Sequence, residues 1–270
     1  LFALQAAFTG FIFEQTEHLK PEVSAVTIDF DSAAYAIPSG QLSADANGVD
    51  GWESQAFLGF VVPSPGIGTN QALGFGPKYV LPQSASESIK RDVNFALTGN
   101  QSGTHIQATG TFTADVLVNA PVNASGNDVF GVSLYGNAGN ETISFTFDPG
   151  NTVSGLAGEL GVNGIANAYY NSQYQFKVSF TGTGGDFQTY AASLIDGNGG
   201  SFTQYGQLTS TAISSIGLTY ALADSSAALS TASDGFIIMD NAAFSASIPE
   251  PSVSLLSLFG AGLLILRRKR

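Results

Sequence analysis

The sequence predicts an all-β protein, an antiparallel two-sheet sandwich of the jelly-roll kind, followed by a single apolar helix at the C-terminus. Three observations carry that expectation. Apolar and polar residues alternate over many short stretches, turn-forming residues separate those stretches, and nothing before Ser252 reads as an amphipathic helix longer than two turns.

In SQYQFKVSFTG, Tyr174, Phe176, Val178 and Phe180 alternate with Gln173, Gln175, Lys177 and Ser179, the pattern of a strand with one buried and one wet face. Phe112, Ala114, Val116 and Val118 repeat it, as do Ile143, Phe145 and Phe147. Further strands are expected near 26–31, 55–62, 88–97, 129–135, 186–195, 200–208, 213–222 and 235–246. Turn chemistry stands between them at Asp148-Pro149-Gly150-Asn151, Asn163-Gly164, Gly182-Thr183-Gly184-Gly185 and Asp196-Gly197-Asn198-Gly199-Gly200. Strands buried on one side fit two packed antiparallel sheets. No fixed-period repeat occurs, which disfavours a solenoid or propeller.

The composition narrows the function classes. The chain has 270 residues, 44% of them hydrophobic and only 11% charged, against roughly 25% charged in an ordinary soluble domain. It has no cysteine, so disulfides, a thiolate nucleophile and a cysteine metal site are excluded. Before Ser247 the basic residues are Lys20, Lys78, Lys90, Arg91 and Lys177; these five against twenty acids leave a formal balance of −15. Such a body is repelled by phosphate backbones, so nucleic acid is not expected as a partner.

The other four cations, Arg267, Arg268, Lys269 and Arg270, close the chain. They follow an uncharged stretch, 252–266, which as a helix would be about 22 Å long against roughly 30 Å of hydrocarbon. The cations would stay on the cytoplasmic side and leave the body outside. Pro249-Glu250-Pro251 precedes that helix, and its prolines hold the chain extended, open to a processing enzyme. The order Pro249-Glu250-Pro251, short apolar helix, basic cluster resembles the PEP-CTERM sorting signal of Gram-negative bacteria, over about residues 247–270. The resemblance implies recognition by an exosortase, transient anchoring in the inner membrane, removal of the helix near the tripeptide, and delivery to the cell surface or extracellular matrix of a cell that makes exopolysaccharide. It implies nothing about the body. At the other end, LFALQAAFTGFIF suits the apolar core of an incomplete signal peptide within residues 1–25, although a truncated start explains it equally.

Residues 26–246 form the expected sandwich domain. VTIDFDS, GQLSADANGVDGW and NQALGFG, with a closing GFIIMDNAAFSAS, resemble concanavalin A-like (laminin-G-like) sandwiches of exported bacterial proteins.

No catalytic constellation stands out. The only histidines are His18 and His105, too few for a zinc cluster or a Ser-His-Asp set. Glu53, Glu141 and Glu159 each stand alone and read as solvated loop acids, whereas glycoside hydrolysis needs two carboxyls about 5–9 Å apart. Sugar binding asks less: an aromatic face and a few amides or carboxylates. Trp52, Tyr135, Tyr169, Tyr170, Tyr190 and Tyr205 neighbour small or amide residues. Trp52, Tyr135 and Tyr170 are the candidates for carbohydrate binding, with Trp52 first because Asp50-Gly51 suggests a turn that leaves the indole at a loop edge. Asp240 and Asn241 could reach a Ca²⁺ ion; no other cofactor is expected. The reading is therefore a non-enzymatic, exported surface or matrix protein that binds extracellular polysaccharide. A secreted glycoside hydrolase or lyase and a passive structural matrix protein remain as alternatives.

Overall fold

The computed structural model describes residues 23–37, 39, 44–54, 58–63, 71–78, 82–96, 99–101, 104–106, 109–119, 128–136, 141–154, 158–182, 188–208, 212–222, 224 and 235–247. The strands, in chain order, are β1 (Val23–Ile28), β2 (Ala44–Asp45), β3 (Trp52–Ser54), β4 (Gly59–Pro63), β5 (Gln71–Phe75), β6 (Ser86–Ala96), β7 (Gly99–Gln101), β8 (Thr104–Ile106) and β9 (Thr109–Asn119). They continue with β10 (Asp128–Gly136), β11 (Glu141–Asp148), β12 (Glu159–Val162), β13 (Ala166–Tyr169), β14 (Gln173–Gly182), β15 (Gln188–Asp196), β16 (Ser201–Leu208), β17 (Ala212–Leu222) and β18 (Phe236–Ser247). A 3₁₀ turn, Ala33–Tyr35, follows β1.

Two antiparallel sheets make the sandwich. The nine-stranded sheet runs β16-β15-β14-β9-β18-β5-β4-β2, with β1 also paired to β18; the seven-stranded sheet runs β13-β12-β11-β10-β17-β6-β3. β7 and β8 form a separate hairpin. The alternation read in the sequence sets the layers. Tyr174, Phe176, Val178 and Phe180 of β14 and Phe112, Ala114, Val116 and Val118 of β9 are all buried, and they meet Ile143, Phe145 and Phe147 of β11 in one core. Phe145 interlocks the sheets, its ring lying edge-on to Phe176 at 5.3 Å and to Phe202 at 5.7 Å. Each such aromatic contributes about 1.5–3 kcal/mol from burial alone.

Three differences from the sequence reading follow. Val23, Ser24 and Ala25 pair with Ser247, Ala246 and Ser245, so the folded body includes residues assigned above to the leader and runs through Ser247 at its far end. The short strands β3, β12 and β13 were not expected, because three or four residues hold too little alternation to register. A second buried cluster, Phe60, Val62, Ala72, Leu117, Phe236 and Ile238, occupies the outer face of the nine-stranded sheet. One-sided burial therefore does not hold across that whole sheet. Residues 1–22, the tripeptide Pro249-Glu250-Pro251, the apolar stretch 252–266 and the basic cluster lie outside the described residues. Among the described residues, no helix is long and apolar enough to cross a membrane.

Candidate functional site

The sequence's first candidate is a core residue. Trp52 is fully buried, and its Nε1 donates to the Tyr35 hydroxyl at 2.9 Å, which in turn donates to Asp50 Oδ2 at 2.9 Å. Arg91 closes the chain with a 2.9 Å ion pair to the same carboxylate. The turn at Asp50-Gly51 is present, with both residues at positive φ. It delivers the indole inward, against Phe30 at 6.1 Å, rather than to a loop edge. Neither face of that ring is open to a sugar.

Tyr135 is also withdrawn from solvent. It is 4% exposed, and Lys90 Nζ sits 4.0 Å from its ring centroid. Tyr170 is half-buried against the core. Burial first, then the Asp128 and Asp148 carboxylates, push its hydroxyl up to about 12, so it stays neutral. Asp240 and Asn241 form a bulge where β18 passes from β1 to β5. Asn241 adopts φ 51°, its amide donates to Asp240 Oδ1 at 2.8 Å, and its Nδ2 donates to Asp115 Oδ2 at 2.8 Å. These hydrogen bonds engage Asp240 Oδ1 and Asn241 Nδ2 of the pair proposed for Ca²⁺, and among the described residues no three acidic or histidine side chains gather as metal ligands. Glu159 is no solvated loop acid: it is 3% exposed within β12 and accepts from the Tyr169 hydroxyl at 3.3 Å. Glu53 is exposed in β3, and His105 lies in β8.

Among the described residues the most open aromatic side chain is Tyr205, 79% exposed, ahead of Tyr169 at 45%. Register explains why. Inward positions of β14, β15 and β16 are even-numbered, so Val178, Ala192 and Gln204 align on the core side while Ser179, Ala191 and Tyr205 align on the outer face. Thr181, Thr189 and Gln207 form the next outward row, and Lys177, Ser193 and Thr203 the row on the other side. Ser193 and Thr203 share a 2.8 Å hydrogen bond. Ala191 leaves a low floor between Ser179 and the Tyr205 ring, and a shallow hollow of about 500 Å³ opens there. Gly206 is needed beneath it. Tyr190, its cross-strand partner, lies so close on the core side that a Cβ at 206 would come within 2.5 Å of the ring. Hydroxyls, an amide and one exposed ring on a rigid sheet suit the polar and apolar faces of a sugar. Parity in SFTQYGQL carried the signal: Phe202 and Leu208 share one face, which puts Tyr205 on the other.

Where Gln204 of the same strand reaches the edge of β11, a second, more polar cleft of about 500 Å³ is lined by Ser144, Thr146, Asp148, Asn151, Asn163 and Gln204, and its β11 residues alternate with the buried Ile143, Phe145 and Phe147, so it opens on the outer face of the seven-stranded sheet. Here β12 leaves β11 at the Asn163-Gly164 turn, both residues at positive φ. Two side-chain amides continue the ladder in its place. Asn163 Oδ1 accepts from the Thr146 amide at 2.8 Å and its Nδ2 donates to the Ser144 carbonyl at 3.2 Å, which also accepts from Gln204 Nε2 at 3.2 Å. Asp148 Oδ1 holds the Gly150 amide at 2.7 Å.

The fold and these surfaces define an all-β antiparallel sandwich. No protein-family model matches the chain, and the search of curated proteins found no match. Among solved structures, lectin I-B4 of Griffonia simplicifolia in its metal-free form is similar at 11% identity and TM-score 0.41, over 83% of this chain and 99% of that one. Winged bean acidic lectin complexed with methyl-α-D-galactose is similar at 10% identity and TM-score 0.43, over 85% and 100%. Arcelin-5, a lectin-like defense protein from Phaseolus vulgaris, is similar at 8% identity and TM-score 0.44, over 84% and 99%. No residue correspondence follows at these identities.

Proposed function

We propose that this chain is an exported, non-enzymatic surface or extracellular-matrix protein that binds a neutral polysaccharide through the outer face of β14, β15 and β16. The observation that supports the reading is Tyr205, a ring 79% exposed amid serine, threonine and glutamine on a sheet that holds it in place. A stacked ring adds about 1 kcal/mol beyond its buried area, so a single contact gives a dissociation constant near millimolar. Many copies in a matrix retain a polymer through avidity. The formal balance of −15 before Ser247 favours neutral over anionic chains. Affinity electrophoresis of the purified protein in gels cast with neutral polysaccharides tests this. Retardation that Tyr205→Ala abolishes is expected, while equal retardation of both proteins, or sustained release of reducing ends from the polymer, overturns the reading.

The tail supplies the destination in the same proposal. Pro249-Glu250-Pro251, the apolar stretch and Arg267 to Arg270 direct the chain to an exosortase at the inner membrane and then to the surface or matrix. Intact mass of surface-released protein from the native host is expected to end near Pro251. A mass retaining the basic cluster on most molecules refutes that processing.

A further inference from the structure

β16 is the outermost strand at one end of the nine-stranded sheet and, among the described residues, pairs only with β15. Its open edge has a definite pattern. Asp196 N donates to the Gly200 carbonyl at 2.9 Å where the β15–β16 turn closes, and backbone groups alternate in direction along an antiparallel ladder. Phe202, Gln204, Gly206 and Leu208 therefore turn their N–H and C=O groups to β15, while Ser201, Thr203, Tyr205 and Gln207 turn theirs outward. Natural sheets guard such an edge with charge, proline, a bulge or brevity. SFTQYGQL has no charge and no proline, and its pairing with β15 runs the length of the strand without a shift in register. The other sheet ends among the described residues are managed: β2, β3 and β13 have two, three and four residues, and β1 is bounded in sequence by Pro21-Glu22 and Asp29.

We infer that two copies of this chain join through β16, antiparallel about a two-fold axis at Gln204, into one continuous sheet. The outward residues are symmetric about Gln204. In that register Ser201 meets Gln207 of the second copy and Thr203 meets its Tyr205, so every outward N–H and C=O of the strand finds a partner. A slip of two residues either way leaves Ser201 or Gln207 without a partner in the facing strand. A second copy fits the edge better than an acidic peptide does. The formal balance of −15 before Ser247 repels an acidic partner, whereas this strand brings no charged side chain to the seam. The pairing also completes the saccharide surface, and this consequence rests on the saccharide reading above. Both Tyr205 side chains lie on the outer face, diagonal to each other across the axis, and diagonal neighbours in an antiparallel pair stand about 7–8 Å apart. The dimer thus presents two rings on one face to a single stretch of polymer. Its ligand is the interior of a neutral chain rather than a terminal sugar, and two weak contacts reinforce each other through effective concentration.

Sedimentation velocity of the full chain tests the pairing. A single strand pair is a small interface, so dimer should accumulate between about 5 and 500 µM protein. The double variant Ser201→Lys, Gln207→Lys sets like charges directly opposite each other at the seam and should raise the midpoint of dimerisation at least about tenfold. Both positions are exposed, so at low concentration its melting temperature should match that of the unaltered chain. Because the chain has no cysteine, a crosslink reports the register. Gln204→Cys should give a disulfide-linked dimer on oxidation, whereas Tyr205→Cys, about 7–8 Å from its mate, should not. A chain that stays monomeric throughout that range, or dimerises regardless of the two lysines, overturns the edge pairing. A crosslink through Tyr205→Cys and none through Gln204→Cys overturns the register. In neutral polysaccharide gels the double-lysine variant should need about tenfold more polymer for equal retardation. Tyr205→Ala keeps its backbone groups, so it should still dimerise while losing retardation. Dimerisation without retardation in any neutral polysaccharide overturns the saccharide reading and leaves the edge pairing intact; retardation of a strictly monomeric chain does the reverse.

Discussion

The outer face of the nine-stranded sheet changes character across its width. Over β4, β5, β18 and β9 it is a packed apolar layer in which Phe60, Val62, Ala72, Leu117, Phe236 and Ile238 are at most 5% exposed. Over β14, β15 and β16 the same face carries serines, threonines, Lys177 and an open tyrosine. One sheet thus has two kinds of exterior, and the strand sequences distinguish them. FIIM in β18 and GFVV in β4 are unbroken apolar runs, the signature of a strand buried on both sides, whereas QYQFKVSF in β14 alternates. The packed half is stapled by specific contacts. Phe60 lies over Gly74, where a Cβ would meet its ring at 2.2 Å; Phe236 stands edge-on to Phe60 at 5.4 Å; and Lys78 Nζ lies 4.1 Å from the Phe236 centroid. The polar half owes its order to register with neighbours beneath it and so leaves its surface free for a ligand.

The largest test of that contrast is Phe236→Ala. Removing a fully buried ring that holds the outer layer should cost about 3–5 kcal/mol, seen as a lowered urea midpoint with unchanged slope. A loss below about 1 kcal/mol, within reach of ordinary surface substitutions, would mean that the outer layer is not a core and that the two halves differ only in polarity.

A smaller effect separates tyrosines packed inside from those that are not. Burial and the neighbouring acids raise Tyr170 to about 12, and burial likewise raises Tyr35, beside Asp50, and Tyr220, beside Asp128, well above the usual value. In the unfolded chain such hydroxyls ionise near 10. Above that pH the unfolded state holds fewer protons than the folded one, so stability falls with rising pH; the contribution is complete below about pH 10 and is lost through about 12 for Tyr170. Melting temperature should therefore drop between those values, and Tyr170→Phe should make the drop shallower. An unaltered profile would place Tyr170 in water.

The sequence made the sandwich legible because alternation is a local property: β9, β11 and β14 appear within three residues of the expected spans. Trp52 was misplaced for the same reason. A turn at Asp50-Gly51 is visible locally, but the direction it sends an indole depends on Tyr35, seventeen positions earlier, whose hydroxyl receives the Nε1 proton. Tyr135 sits on the outward parity of β10, yet Lys90 from β6 lies on its ring, a contact made across the intervening β17. The polar cleft was hidden more deeply still. Asn163 and Gln204 are forty-one positions apart and meet at the Ser144 carbonyl only because β16 folds against β11.

The smallest expected effect bears most directly on function. Tyr205 rests on a strand held by eight cross-strand pairs to β15, along one side only among the described residues, and the residue is 79% exposed. Its removal opens no cavity, so Tyr205→Ala should change unfolding free energy by no more than about 0.5 kcal/mol, and alanine's lower preference for strands accounts for part of even that. Binding should behave oppositely, with retardation in neutral polysaccharide gels disappearing. A ring whose loss leaves stability alone but ends binding is there for a ligand. If instead Tyr205→Ala unfolds the protein at lower urea by more than about 1 kcal/mol, then the ring is packing rather than waiting, and the polar half of the sheet is a second structural surface like its neighbour.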